Sequence, residues 1–303
     1  MTAEDVWVEP ASAAHARTTY YEQPVLKEPV WIWAVPAYFY AGGVAGAAAV
    51  TGAAIQVAGH GSMRDLMKKC RVAAAAGTAV GTGLLIYDLG RPARFLNMLR
   101  VFRPTSVLNM GSWILGAATS SSAGALLFAS RPLGNLAGIV AGVAGLPMSG
   151  YTAVLLTDTA VPLWQATRRS LPSLFVASSL SSATSLLEGT DLDDEEFGVV
   201  NRLGMIARVA ELAAVVAVER DATRVERVGR VLKTGMPGTL WKASTALTLA
   251  SFGVSLVGGR RRSLRMLDAI LGTLAGIALR FAVFEAGKQS ARDPHATFEQ
   301  QRA

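Results

Sequence analysis

WIWAVPAYFYAGGVAGAAAVTGAAIQV, residues 31–57, runs for 27 residues without a charged side chain. A helix rising 1.5 Å per residue needs about 20 such residues to cross a hydrocarbon core of ~30 Å, so the stretch predicts a transmembrane span. Seven more apolar blocks follow, over 66–88, 107–129, 133–160, 171–190, 197–219, 237–258 and 264–286. The expected fold is all-α, a polytopic integral membrane protein of about eight transmembrane helices arranged as two four-helix bundles. The expected division is a polar N-terminal tail at 1–30, a first bundle at 31–165, a second bundle at 166–290 and a C-terminal tail at 291–303.

Composition agrees with this reading. Of 303 residues, 51% are hydrophobic and 17% charged, less charge than a soluble domain of this size carries. The formal charge is +7, but the basic residues sit in short clusters between apolar blocks. That placement marks membrane flanks and argues against nucleic acid as a partner. The polar stretch before residue 31 lacks the charged, apolar and small-residue regions of a signal peptide and reads as an attached tail.

Cys70 is the only cysteine, so this chain builds neither a disulfide nor a thiolate zinc site nor a cysteine-ligated iron–sulfur cluster. Any cluster belongs to a partner. His15 and His295 lie in the tails and His60 in a loop, which removes the pair of facing histidines a haem b requires. No metal site, no haem and no covalent cofactor are expected.

Three connections are longer than turns. Asp88–Ser106 alternates arginine with apolar residues at helical spacing and predicts an amphipathic helix in the interface. Glu188–Glu196 is an acidic, solvated run that supplies cap residues to the sixth span, and Arg220–Lys233 is a basic helical extension. An even number of spans puts both termini on one side. Counted over tails, loops and the ends of spans, that side holds 16 Lys and Arg against 9 opposite, which assigns the tails to the cytoplasm of an inner-membrane protein. Glycines at four-residue spacing, such as Gly42 with Gly46 and Gly138 with Gly142, are read as close-packing faces.

Polar residues inside a bilayer are costly and therefore candidates for function. Tyr38, Asp88, Asn109, Ser112, Trp113, Tyr151 and Asp158 all fall in the tail-side half of the first four helices. Hydroxyl, amide and indole donors, aromatic walls and carboxylates are what a quinone headgroup needs for binding and proton exchange. The same aromatics, Trp31, Trp33 and Trp113 among them, also read as an interfacial belt, and Asp88 also reads as a turn cap or a partner of Arg91 or Arg94. In the second half, Arg208 and Glu211 share a helix face, and Arg280 and Glu285 lie near the end of the last span. They read as interhelical ion pairs or as members of a proton path.

Five stretches in order carry a resemblance: WIWAVPAYFYAGGVAG at 31–46, DLGRPARFLNMLRVFRPTSVLNMGSWIL at 88–115, SGYTAVLLTDTAVPLW at 149–164, LPSLFVASSL at 171–180 and LRFAVFEAGKQSARDP at 279–294. Together they resemble the NrfD-type family, the membrane subunits of polysulfide-reductase-like complexes. The resemblance implies a cofactor-free subunit that oxidises or reduces a membrane quinone, menaquinone or ubiquinone. It further implies a ferredoxin-like partner carrying several 4Fe–4S clusters and a molybdopterin or other catalytic subunit that holds the non-quinone substrate. By motif position Tyr38, Asp88 and Tyr151 fall in the pocket. Asn109, Trp33 and Trp113 are expected around it from their depth, and Asp158 reads as an added proton relay or as a surface carboxylate. Arg91, Arg94, Arg168 and Arg169 lie on the tail side beside that pocket and are expected on the docking face. Two positions depart from the family pattern: Ala153 replaces a usual glycine, and Asp158 replaces a small residue. A pure anchor without quinone chemistry and a small-molecule or ion transporter are the rival readings. The transporter is disfavoured because the halves show only weak similarity.

Overall fold

The computed structural model describes residues 25–59, 61–257 and 261–302. His15, Arg17, His60, Arg260 and Ala303, used in the sequence reading, fall outside the described residues. Among those described there are twelve α-helices and no strand. In chain order they are α1 Ala34–Ala58, α2 Arg64–Leu89, α3 Pro92–Arg100, α4 Val107–Leu127, α5 Pro132–Thr157, α6 Pro162–Ala166, α7 Leu171–Glu188, α8 Asp194–Ala222, α9 Glu226–Arg230, α10 Gly235–Val257, α11 Arg262–Ala291 and α12 Pro294–Arg302.

Eight of these helices have 18 residues or more and coincide with the eight apolar blocks. Five stretches, Ala34–Ala58, Gly61–Leu89, Pro132–Thr157, Gly235–Val257 and Arg262–Ala291, are long and apolar enough to cross a membrane by length and composition. α4 and α7 fall below that level because serines and threonines interrupt them, and α8 because it carries charge. The chain is an all-α polytopic membrane protein. α1 packs on α2 and α5, and α4 on α5 and α2. α7 packs on α8 and α11, and α10 on α11 and α8, while α7 also lies against α1 and α5 and joins the two sets.

Small residues set the closest crossing. A Cβ on Gly46 of α1 would stand 2.7 Å from the Gly145 carbonyl oxygen of α5, and one on Gly145 would meet the Gly46 carbonyl in return. The two backbones therefore touch, which dispersion between helices rewards where lipid gives no hydrophobic drive. Toward the other end of this bundle Arg71 of α2, 6% exposed, donates to Gln56 Oε1 of α1 at 2.8 Å and to Asn135 Oδ1 of α5 at 3.0 Å. Arg71 is one of the nine basic residues of the far side in the charge count, yet it is buried; Gly138, where a Cβ would meet its guanidinium at 3.0 Å, leaves room for it inside.

The acidic run before α8 is not wholly solvated. Asp193 caps the helix and forms a reciprocal box with Glu196, as a capping box requires. Glu196 is buried, accepts from the Leu66 amide at 2.6 Å and pairs with Lys69 at 3.0 Å, so it ties the start of α2 to the start of α8. A second correction concerns Arg208. It does not pair with Glu211 on its own face but with Asp268 of α11 and, at 3.7 Å, with Glu188 of α7. Helical side chains lean toward the N-terminus, and that lean carries the guanidinium away from the tails to where those carboxylates converge. Arg280 donates to the Phe175 carbonyl and the Ser179 hydroxyl, both at 3.0 Å, and lies over the Phe175 ring. Neither Arg280 nor Glu285 forms an ion pair among the described residues, so the interhelical ion pairs expected of them are not seen there.

Candidate functional site

The tail-side ends of α1, α2, α4 and α5 enclose a cavity of about 170 Å³. Engineered apolar cavities of ~150 Å³ take one benzene ring, so the space suits a single six-membered ring rather than a large polar solute. Its walls are mainly apolar, with Val35, Phe39, Leu85, Leu115 and Met148 among them. Six lining residues carry polar N or O side-chain atoms: Trp31, Tyr38, Asp88, Ser112, Tyr151 and Thr152.

All of these but Trp31 are set by their helices. Tyr38 lies in the second turn of α1 and its hydroxyl has no partner among the described residues. Tyr151 crosses to α4, where its hydroxyl donates to the Val107 carbonyl. Gly111 permits this, because a Cβ there would come within 2.8 Å of the Tyr151 ring. The Tyr151 proton is thus committed, and its oxygen remains able to accept. Ser112 and Thr152 sit on facing walls, the Ser112 hydroxyl donating at 3.1 Å to the Leu108 carbonyl.

Asp88 stands in the last turn of α2, where the helix dipole disfavours a carboxylate. Among the described residues its one hydrogen bond is from the Ile32 amide at 3.4 Å, and it forms no ion pair with Arg91 or Arg94. Arg94 instead donates to the Leu89 carbonyl at 2.9 Å and caps α2. Asp88 is half-buried, with the cavity on one side and the tail-side surface on the other.

The structure puts the other expected pocket residues elsewhere. Asn109 donates to the Met98 and Val101 carbonyls at 2.7 and 2.8 Å and accepts from the Arg103 amide at 2.7 Å, so its amide pins α3 to α4 and has no N–H left to donate to a ligand. Trp113 donates to the Val101 carbonyl and packs edge-on against Phe102. Trp33 is 58% exposed and pairs with Tyr87. Asp158 is exposed at the end of α5 and does not line the cavity. Arg91, Arg94, Arg168 and Arg169 are exposed, the first two at the start of α3 and the others in the turn between α6 and α7.

Trp31 is the residue whose place sequence reasoning missed. It lines the cavity and stacks at 6.1 Å on Trp164 of α6 and at 6.5 Å on Phe284 of α11. Trp164 is fully buried and donates to the Val283 carbonyl at 3.0 Å. The segment before α1 is held by Glu28, which takes Arg292 through both carboxylate oxygens at 2.8 Å and Lys288 at 3.4 Å. The Arg292 guanidinium bonded to Glu28 holds that carboxyl below the usual carboxylate range, and Lys288 adds to the effect. A bidentate guanidinium–carboxylate pair fixes direction as well as distance. Trp31 is thereby fixed over the cavity by an ion pair outside the apolar core.

A family model described as polysulfide reductase, NrfD_2, matches residues 17–292. Comparison with curated proteins gives no match.

Proposed function

The chain belongs to the polysulfide reductase family of membrane subunits of oxidoreductase complexes, and from that premise we propose that it is the quinone-reacting subunit of its complex. The observation that carries the proposal is the Tyr38 hydroxyl, without a partner among the described residues, at an apolar, ring-sized cavity that Asp88 also lines. Tyr38 donates to a carbonyl of the quinone, menaquinone or ubiquinone. Tyr151, whose proton is committed to Val107, accepts from the hydroxyl of the quinol. Asp88 exchanges protons between the cavity and the tail side, a task suited to a carboxylate at the edge of water. Leu108 is exposed yet lines the cavity, so the ring reaches its site sideways from the bilayer.

Tyr38→Phe removes one neutral hydrogen bond, worth about 0.5–1.5 kcal/mol, or a two- to tenfold loss of quinone turnover. Asp88→Asn keeps the bond to Ile32 but cannot carry a proton, and is expected to slow turnover further. The partner's activity with a soluble electron carrier, which bypasses this chain, stays unchanged in both variants. If both assembled variants turned over quinone at the wild-type rate, the chain would be an anchor without quinone chemistry.

Electrons are exchanged between the quinone and a ferredoxin-like iron–sulfur subunit with several 4Fe–4S clusters, which serves a molybdopterin or other catalytic subunit. The partner docks on the tail side, where Arg91 and Arg94 project beside the cavity. Reversing both charges to glutamate is expected to release most of the iron–sulfur subunit from membranes, and more completely at higher salt. Retention at full yield would move the docking face elsewhere. The 16 to 9 excess of Lys and Arg supports a cytoplasmic tail side in an inner membrane spanned eight times.

A further inference from the structure

A second pocket, of about 340 Å³, lies where the last turn of α8 and the first turns of α10 meet the bend through α9. Glu219, Lys233, Trp241 and Lys242 supply its chemistry. Trp241, 2% exposed, donates its indole N–H to Glu219 Oε1 at 2.7 Å, leaving Oε2 unbonded. The Lys242 ammonium makes one bond, to the Lys233 carbonyl at 3.3 Å, and the Lys233 ammonium makes none among the described residues.

The pocket thus presents two ammonium groups and, on another wall, one carboxylate steadied by a buried indole. Its depth is that of lipid headgroups, within about two turns of the ends of two long helices, where tryptophan concentrates. Both helices show exposed apolar side chains farther in, Val209 and Val216 on α8 and Leu249 on α10. A purely anionic group would meet Glu219, and a purely cationic one would meet both lysines. A ligand carrying a phosphate and an ammonium satisfies both walls.

We propose that this pocket holds the headgroup of a zwitterionic aminophospholipid, with the phosphate between Lys233 and Lys242 and the primary ammonium on Glu219. Basic clusters at helix ends recognise lipid phosphates, and a charge-assisted N–H bond to carboxylate selects a primary ammonium over a quaternary one. The assignment is independent of the quinone reading.

Native mass spectrometry of the purified protein, with phosphatidylethanolamine, phosphatidylcholine or phosphatidylglycerol added in turn, tests it. Wild-type protein is expected to retain the ethanolamine lipid at least fivefold better than the choline lipid. Glu219→Gln keeps an acceptor for Trp241 and is expected to erase that preference. The double variant Lys233→Gln, Lys242→Gln is expected to lower retention of the ethanolamine lipid at least fivefold. Equal retention of all three lipids by wild type, or no change in the variants, overturns the proposal. Displacement of the lipid by equimolar phosphoethanolamine overturns the lipid assignment in favour of a soluble phosphate compound.

Discussion

Arg208→Ala is expected to cost about 3–5 kcal/mol of stability and to leave little folded protein in the membrane. The guanidinium has no exposure, and Asp268 and Glu188, at 1% and 2%, have almost none. Asp268 is served on one oxygen by the Ser251 hydroxyl at 2.6 Å and on the other by Arg208. Ser185 also bonds Arg208, at 2.8 Å, so the cluster spans α7, α8, α10 and α11. Removing the cation strands two carboxylates in a low-dielectric interior, and a domain holds only about 5–15 kcal/mol in reserve. The check is the thermal unfolding midpoint in detergent together with yield from membranes. An apolar replacement of the whole cluster, Arg208→Met with Asp268→Leu and Glu188→Leu, is expected to recover most of the loss, because no charge is then stranded. A loss below about 1 kcal/mol in the single variant would mean that Arg265, the other guanidinium that acts on Glu188, takes over.

Leu108→Trp is expected to lower quinone turnover at least tenfold, about 1.4 kcal/mol or more, while the complex assembles normally. Leu108 is 52% exposed and also lines the cavity, so it stands at the mouth where a larger side chain meets lipid rather than packed protein. Exposed substitutions of this kind cost little stability. An indole there occupies a space sized for one ring, and a quinone cannot share it. The soluble-carrier activity of the partner separates blocked access from failed assembly. Wild-type quinone turnover in the assembled variant would show that the cavity is not the path taken.

Much of the fold was legible because lipid imposes a one-dimensional rule: an apolar block of sufficient length is a helix that crosses. The serine-rich α7 and the charged α8 were still found, since their polar residues are spaced along long uninterrupted blocks. The site was legible only in part. Tyr38, Asp88 and Tyr151 converge because all three sit near the same ends of adjacent helices, a relation that span direction gives. Asn109 and Trp113 share that depth but turn toward α3, and depth carries no information about which way a side chain faces. Trp31 lies outside the first helix, so no helical period places it; its position depends on the Glu28–Arg292 pair, 264 residues apart in sequence. Arg208 does form an interhelical ion pair, but its partners were hidden for a related reason. Neighbourhood along one helix was legible, and the nearer carboxylates came from two others.

The Gly46–Gly145 crossing has a consequence for what the cavity accepts. Those two backbones fix how far apart the walls of the cavity stand, since Gly42 and Met148, one turn away on either helix, both line it. Side chains pointing into the space can be exchanged one at a time without altering that separation, whereas a single methyl at either glycine forces the walls apart. A chain that keeps this crossing is therefore free to change which ring it accepts, and by what polarity, while the width of the slot stays the same.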